Sequence, residues 1–144
     1  MIIVTGGSGQ AGKASLSKLL GEEMAKQFCR WDPELKIIGL RLSNVMDPGD
    51  YARFPSFQDD ATKRKWNLWG YIDARDAAQT FRLALESNLK GAEIFVIANA
   101  DSVMNRPNED LLNELYPNET LLSIEKARRI LRYQPRYTWR AHSK

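Results

Sequence analysis

The chain has a single cysteine, Cys29, and a single histidine, His142, in 144 residues. That scarcity excludes an internal disulfide framework and a zinc-type cluster of cysteine and histidine ligands. A reducing, cytoplasmic setting is the expectation that follows. No apolar run approaches the roughly 20 residues of a membrane-spanning helix, and Met1 to Val4 is too short for a signal sequence, so no membrane partner is expected. Acidic residues are missing from the C-terminal stretch. None follows Glu125, whereas Arg128, Arg129, Arg132, Arg136, Arg140 and Lys144 do. Such an excess can mark nucleic-acid binding. Here, however, Tyr133, Tyr137 and Trp139 are spaced as in a folded tail and not as a stacking platform for bases. A solvated basic face is the simpler reading, with no nucleic-acid partner.

What is present is ordinary for a globular chain: 43% hydrophobic and 27% charged residues, with a net charge of +3. The length gives one domain with a core of its own. Apolar Ile2-Ile3-Val4 reads as a strand. From about Gln10 to Arg30 the pattern is helical, with Leu16, Leu20, Met24 and Phe28 recurring every fourth residue. Leu19 lies beside this stripe, which is expected to pack on a sheet, and Glu22 and Lys26 form an outer pair. Trp31-Asp32-Pro33 ends the helix. Lys36 to Leu42 is a nearly continuous apolar run, as in a parallel strand buried on both faces.

Asp47-Pro48-Gly49-Asp50 opens a long irregular stretch to about Gly70. Tyr71-Ile72-Asp73 reads as a short strand or turn, and Asp73 or its neighbour caps a helix bearing Ala77, Ala78, Phe81, Leu85 and Leu89, closed by Gly91. Glu93 to Ala98 is a third strand. Helices follow at about Asn108 to Leu115, with Pro117 just after, and at Ser123 to Leu131. The alternation predicts an α/β fold with a small, mainly parallel sheet of about three strands and flanking helices.

Thr5-Gly6-Gly7-Ser8-Gly9-Gln10-Ala11-Gly12-Lys13 is the most informative segment. A strand that breaks into glycines and re-forms as a helix turns backbone N–H groups and the helix dipole toward one point, which favours phosphate. Two motifs overlap there. Gly7, Gly9 and Gly12 spell G-x-G-x-x-G, while Gly7, Gly12 and Lys13 spell most of a Walker A loop. The NTPase reading lacks the Ser or Thr that should follow the lysine to ligate Mg²⁺, because Ala14 stands there, and the Lys36–Leu42 strand ends in Ser43-Asn44 without an Asp. The dinucleotide reading lacks an acidic residue at the tip of that strand, since Asp32 precedes it.

The chain resembles the extended short-chain dehydrogenase/reductases, the NAD-dependent epimerase/dehydratases. Thr5-Gly6-x-x-Gly9-x-x-Gly12 is similar to that family's glycine loop. Ser17-Lys18-Leu19-Leu20-Gly21-Glu22-Glu23 resembles its active-site helix, with Lys18 at the lysine of Tyr-x-x-x-Lys. Arg41 to Val45 with Pro48 resembles the strand and loop beside nicotinamide and substrate. Tyr71 to Ala78 resembles a later helix start, and Ser123 to Arg140 the C-terminal segment. The resemblance implies a truncated Rossmann-like domain over residues 1–144. Residues 1–49 would carry the glycine loop, helix and second strand, and residues 50–144 the remnant of a substrate-binding part. It implies an NAD or NADP site at Gly6, Gly7, Ser8, Gly9, Gln10, Ala11 and Gly12. Ser43 and Asn44 would lie on the nicotinamide or substrate side, with a nucleotide-sugar-like substrate.

The departures are as informative. In the family the active-site helix lies far downstream of the glycine loop, whereas here the two abut at Lys13-Ala14, as after a large internal deletion. Ala14 stands where the catalytic tyrosine belongs, and none of the five tyrosines has a lysine four residues on. The family reaction needs that phenol to pass a proton, with the lysine lowering its pKa. Lys18 is therefore expected to be a catalytic remnant. Cofactor binding is expected to be weak, the fold marginal in stability, and the uncovered sheet edge a route to self-association. The alternatives are a non-enzymatic deletion or splice remnant acting through protein association, and a P-loop-like nucleotide binder.

Overall fold

The computed structural model describes residues 2–5, 12–115 and 122–141, with backbone alone for 2–5 and 12–16. Strand β1 (Ile2–Thr5) leads toward helix α1 (Gly12–Trp31), which returns to β2 (Lys36–Leu42). After β3 (Val45–Met46) come two 3-10 helices, Pro48–Phe57 and Ala61–Asn67. Then follow β4 (Ile72–Asp73), α2 (Ala74–Glu86), β5 (Gly91–Ile97), α3 (Asn108–Leu115) and α4 (Glu125–Leu131). A three-stranded sheet in the order β1-β2-β5 is parallel throughout, and β3 and β4 form a separate parallel pair. The predicted α/β fold with about three mainly parallel strands is what the chain adopts.

Strand β2 is central and covered on both faces, as its unbroken apolar run implies. Ile38, Leu40 and Leu42 join Ala77 and Ala84 of α2, Phe95 and Ile97 of β5, and Ala127 and Leu131 of α4 in one core cluster. The alternate residues Ile37, Gly39 and Arg41 point the other way, toward α1, where Arg41 meets Glu22. A second cluster, rich in aromatics, joins Tyr51, Phe54, Trp69, Tyr71, Met104, Leu111 and Trp139. The tail Arg132 to Ala141 is therefore folded onto the body through Tyr133 and Trp139, as the aromatic spacing implies.

Helix α1 presents a different face from the one its periodicity suggests. Leu19, Leu20 and Met24 are all more than half exposed, while Ala25 and Glu22 are buried. Glu22 is not an outer partner of Lys26. It makes a bidentate pair with Arg41 of β2, and Lys26 pairs instead with Glu23. Ala25 is the small buried residue on the packed side of the helix, and the buried Glu22 carboxylate is tolerated because a guanidinium meets it.

Three boundaries also shift. Helix α2 ends at Glu86 with Ser87 extended at its cap, so Leu89 lies beyond the helix. Gly91 opens β5 at φ +79 instead of closing the helix. The stretch read as irregular is largely 3-10 helix. Pro48 starts the first segment behind an Asp47/Asp50 capping box, and Asp60 caps the second by accepting from the Thr62 N–H at 3.0 Å. Helix α4 starts at Glu125, two residues later than the Ser123 reading.

Candidate functional site

Because the three strands are parallel and in register, Thr5, Leu42 and Ile97 finish at one edge of the sheet. Open α/β sheets bind ligands at that edge. Gly6, Gly7, Ser8, Gly9, Gln10 and Ala11, which link Thr5 to Gly12, lie outside the described residues. Gly12 is the first residue of α1, so the helix that follows the glycine segment is the same one that carries Lys18. Gly12 and Lys18 therefore lie on one continuous helix. Lys18 sits partly buried in its second turn.

Ser43 and Asn44 follow β2 at this edge. The Ser43 N–H donates to the Ile97 carbonyl at 2.8 Å, and the Asn44 carbonyl accepts from Ile72 at 3.0 Å, so the two sheets are stitched together here. Ser43 is 6% exposed, yet its Oγ has no hydrogen-bond partner. Asn44 turns its amide toward Met46 Sδ at 3.8 Å. Asp32 lies at the opposite end of β2, where its carboxylate accepts from the Glu34 N–H at 3.0 Å. It cannot serve a ribose at the glycine edge.

Beside Ser43 a cavity of about 110 Å³ is lined by Leu68, Gly70, Asn99, Asp101, Ser102 and Asn108, among others. A Cβ added at Gly70 would meet Ser43 Oγ at 3.0 Å and the Asn67 carbonyl at 3.3 Å, so glycine there keeps backbone and hydroxyl close. Asn108 Oδ1 and Asn67 Oδ1 are also buried without partners. Leu68 and Trp69 both hold φ near +50°, at 51° and 55°. Backbone strain of about 1–3 kcal/mol per residue of this kind collects where a site over-determines its geometry. Asn67 and Gly70 flank this turn in the sequence, but the two positive-φ positions themselves hold neither glycine nor asparagine. Asn99 to Ser102 could have been found, since polar residues following a strand at its C-terminal end are placed at this edge by topology alone.

One wall of the cavity is a hydrogen-bond hub around Tyr71. Its hydroxyl donates to Asp101 at 2.8 Å and accepts from Asn99 Nδ2 at 2.5 Å and the Trp139 N–H at 3.2 Å. Burial pushes the Tyr71 phenol well above its ordinary value, so it stays protonated. Tyr71 and Trp69 are fully buried, whereas Trp66 is 44% exposed.

Asp73 caps α2 through the Arg75 N–H at 2.9 Å and holds the Arg75 side chain through two bonds of 2.8 Å, while Tyr51 donates to the same carboxylate. Burial alone would raise the Asp73 carboxyl, but the bonds from Arg75 and Tyr51 outweigh it and hold it below the usual range. Asp76 goes the other way. Burial raises it although its Oδ2 accepts the Arg136 and Tyr137 N–H groups at 2.8 Å each. Both carboxylates are structural, fixing the helix start and the C-terminal segment.

Among the described residues, no group of three or more His, Cys, Asp or Glu could hold a metal ion, and no helix is long and apolar enough to cross a membrane.

No protein-family profile and no curated protein sequence matches the chain. Solved structures do. A UDP-N-acetylglucosamine 4-epimerase from Bacillus cereus is similar at 21% identity and a TM-score of 0.57, over 88% of this chain and 46% of that one. The Bordetella bronchiseptica enzyme WbmF, solved with NAD⁺ and UDP, matches at 16% identity and a TM-score of 0.60, over 96% of this chain and 55% of its own. A UDP-glucose 4-epimerase from Thermotoga maritima, solved with UDP-glucose, matches at 19% and 0.59, over 95% and 58%. At these identities the likeness is one of fold. The chain has the fold of part of the sugar-nucleotide epimerases and short-chain dehydrogenase/reductases, and it spans about half the length of the structures it matches.

Proposed function

We propose that this chain is an NAD(P)-binding protein of the extended short-chain dehydrogenase/reductase type that keeps the cofactor edge of the fold and lacks its proton-transfer tyrosine. The observation that carries the reading is the parallel β1–α1–β2 unit, with a glycine-rich segment between the end of β1 and the first residue of α1. A phosphate fits that place chemically, because the backbone donors at the start of α1 face the end of the sheet where ligands of open α/β folds bind. The residues that would hold the dinucleotide are Gly6, Gly7, Ser8, Gly9, Gln10, Ala11 and Gly12. When bound, the nicotinamide would supply hydride chemistry.

The chain's own residues supply less. Ala14, not a tyrosine, stands four residues before Lys18, and no acidic residue ends β2 to take the ribose hydroxyls. The cavity beside Ser43 suits a ligand rich in hydroxyl or N–H donors, because Asn108 Oδ1 is an unmatched acceptor in its wall and Ser43 Oγ lies against Gly70. A nucleotide sugar has that chemistry. Isothermal titration with NAD⁺ and NADP⁺ tests the cofactor part, and a millimolar dissociation constant corresponds to about −4.1 kcal/mol. Heat saturating in that range or tighter supports the proposal; no heat at millimolar cofactor overturns it.

A second reading, a non-enzymatic protein acting through self-association, is favoured by one observation. The exposed Leu19, Leu20 and Met24 line up on the outer face of α1. Size-exclusion chromatography with light scattering decides it, and a well-behaved monomer at tens of micromolar would rule it out.

A further inference from the structure

The second 3-10 helix carries three consecutive cations, Lys63, Arg64 and Lys65, and the middle one turns inward. Arg64 is only 9% exposed and is the one buried arginine among the described residues. Its guanidinium carbon lies 5.0 Å from the Phe57 ring centroid and 5.6 Å from that of Trp66. Aromatic faces attract the cation above and below its plane, at about 0.5–2 kcal/mol each. They do nothing for the N–H donors in the plane. At Arg64 both Nε and Nη2 are buried without a hydrogen-bond partner.

Those two atoms form the side-on fork that matches two oxygens of a carboxylate or phosphate. The same molecule shows twice how the fork is satisfied. Arg41 places Nε and Nη2 on the two oxygens of Glu22 at 2.8 and 2.6 Å, and Arg75 places the same pair on Asp73 at 2.8 Å each. Among the described residues no carboxylate does this for Arg64. Its charged neighbour is another cation, Arg53, whose own ion pair is with Asp50. A buried guanidinium with unmatched donors costs several times what a surface one does. Trp66, which flanks it, is 44% exposed and offers the route from solvent.

We propose that the Arg64 fork is an anion-binding site that takes two oxygens of a phosphate or carboxylate group, with Phe57 and Trp66 as its apolar walls. It does not depend on the dinucleotide reading.

The test is thermal unfolding of the full chain in chloride, acetate and low-millimolar inorganic phosphate at matched ionic strength. The proteins compared are wild type, Arg64→Met and Arg64→Lys. Methionine keeps the stem and removes the charge; lysine keeps the charge and removes the fork. General salt exclusion stabilises every variant alike, so the readout is the difference between them. The proposal expects phosphate or acetate to raise the wild-type midpoint above that in chloride and the increment to vanish in Arg64→Met. It also expects Arg64→Met in chloride to be at least as stable as wild type, because an uncompensated cation is gone. A response to phosphate alone assigns a phosphoryl ligand; a response to both assigns a general oxyanion. Equal wild-type midpoints in all three salts, or an increment that survives in Arg64→Met, overturns the proposal. Should Arg64→Met fail to fold, Arg64→Lys carries the comparison: a reduced increment supports the fork, and an unchanged one refutes it.

Discussion

Tyr71 shows how a single side chain can tie the end of the sheet to the 132–141 segment. Its ring sits in the aromatic cluster, edge-on to Phe54 at 5.3 Å, while its hydroxyl joins Asn99, Asp101 and the Trp139 backbone. Tyr71→Phe keeps the packing and leaves those buried partners short of one bond each. It should cost about 1–3 kcal/mol, the penalty for stranding buried polar groups; equilibrium urea unfolding measures it. A loss below a few tenths would mean that water or rearrangement satisfies the hub.

Asp73 gives a pH signature with a definite sign. Its folded carboxyl titrates below the ordinary aspartate value of 3.8, so its contribution is present above that pH and is lost as pH falls through the lower folded value. Asp76, raised by burial, contributes in the opposite sense. Asp73→Asn should therefore flatten the loss of stability below about pH 4. Urea midpoints between neutral and acid pH check this, and an acid limb as steep in the variant as in wild type would contradict the assignment. Asp73 as a helix cap was legible from its place before an apolar helical pattern. Its partner Tyr51 was not, because the contact joins residues far apart in sequence.

At the scale of elements, most of the sheet and helices could be read from the chain, and the facing of α1 could not. Strand β2 announced itself through apolar residues on both faces, and α2 through its stripe and its cap. In α1 the four-residue leucine and methionine spacing is real, but the stripe points outward. Spacing reports that one face is apolar; it does not report whether a neighbour exists to cover it. The face that packs is marked by buried Ala25 and by the Glu22–Arg41 pair, whose second member lies on another element.

This reversal is testable with two substitutions. Ala25→Leu overfills a buried contact and should cost about 1–3 kcal/mol. Met24→Gln on the exposed side should change stability by less than about 0.5 kcal/mol. Chemical denaturation of both variants decides it; the opposite ranking would restore the inward leucine stripe.

At the scale of the whole molecule, the chain spans about half the length of the solved structures it matches, and its sheet has three strands. Strand β1 takes the outer position next to β2, and α1 runs from the glycine segment straight into the Lys18 helix. The resemblance in the sequence led to the expectation of a single helix running on through Lys13-Ala14. The cavity wall from Asn99 to Ser102 was legible only through topology, as polar residues that follow β5 at its C-terminal end.

The central claim is that the shortened fold still binds a dinucleotide at the end of β1. Isothermal titration of the full chain with NAD⁺ and NADP⁺, repeated with Gly9→Val, tests it most directly. The account predicts weak, saturable heat with at least one cofactor and its loss in the variant, whose side chain crowds the backbone donors. No heat from wild type at millimolar cofactor, or equal heat from both proteins, would contradict it.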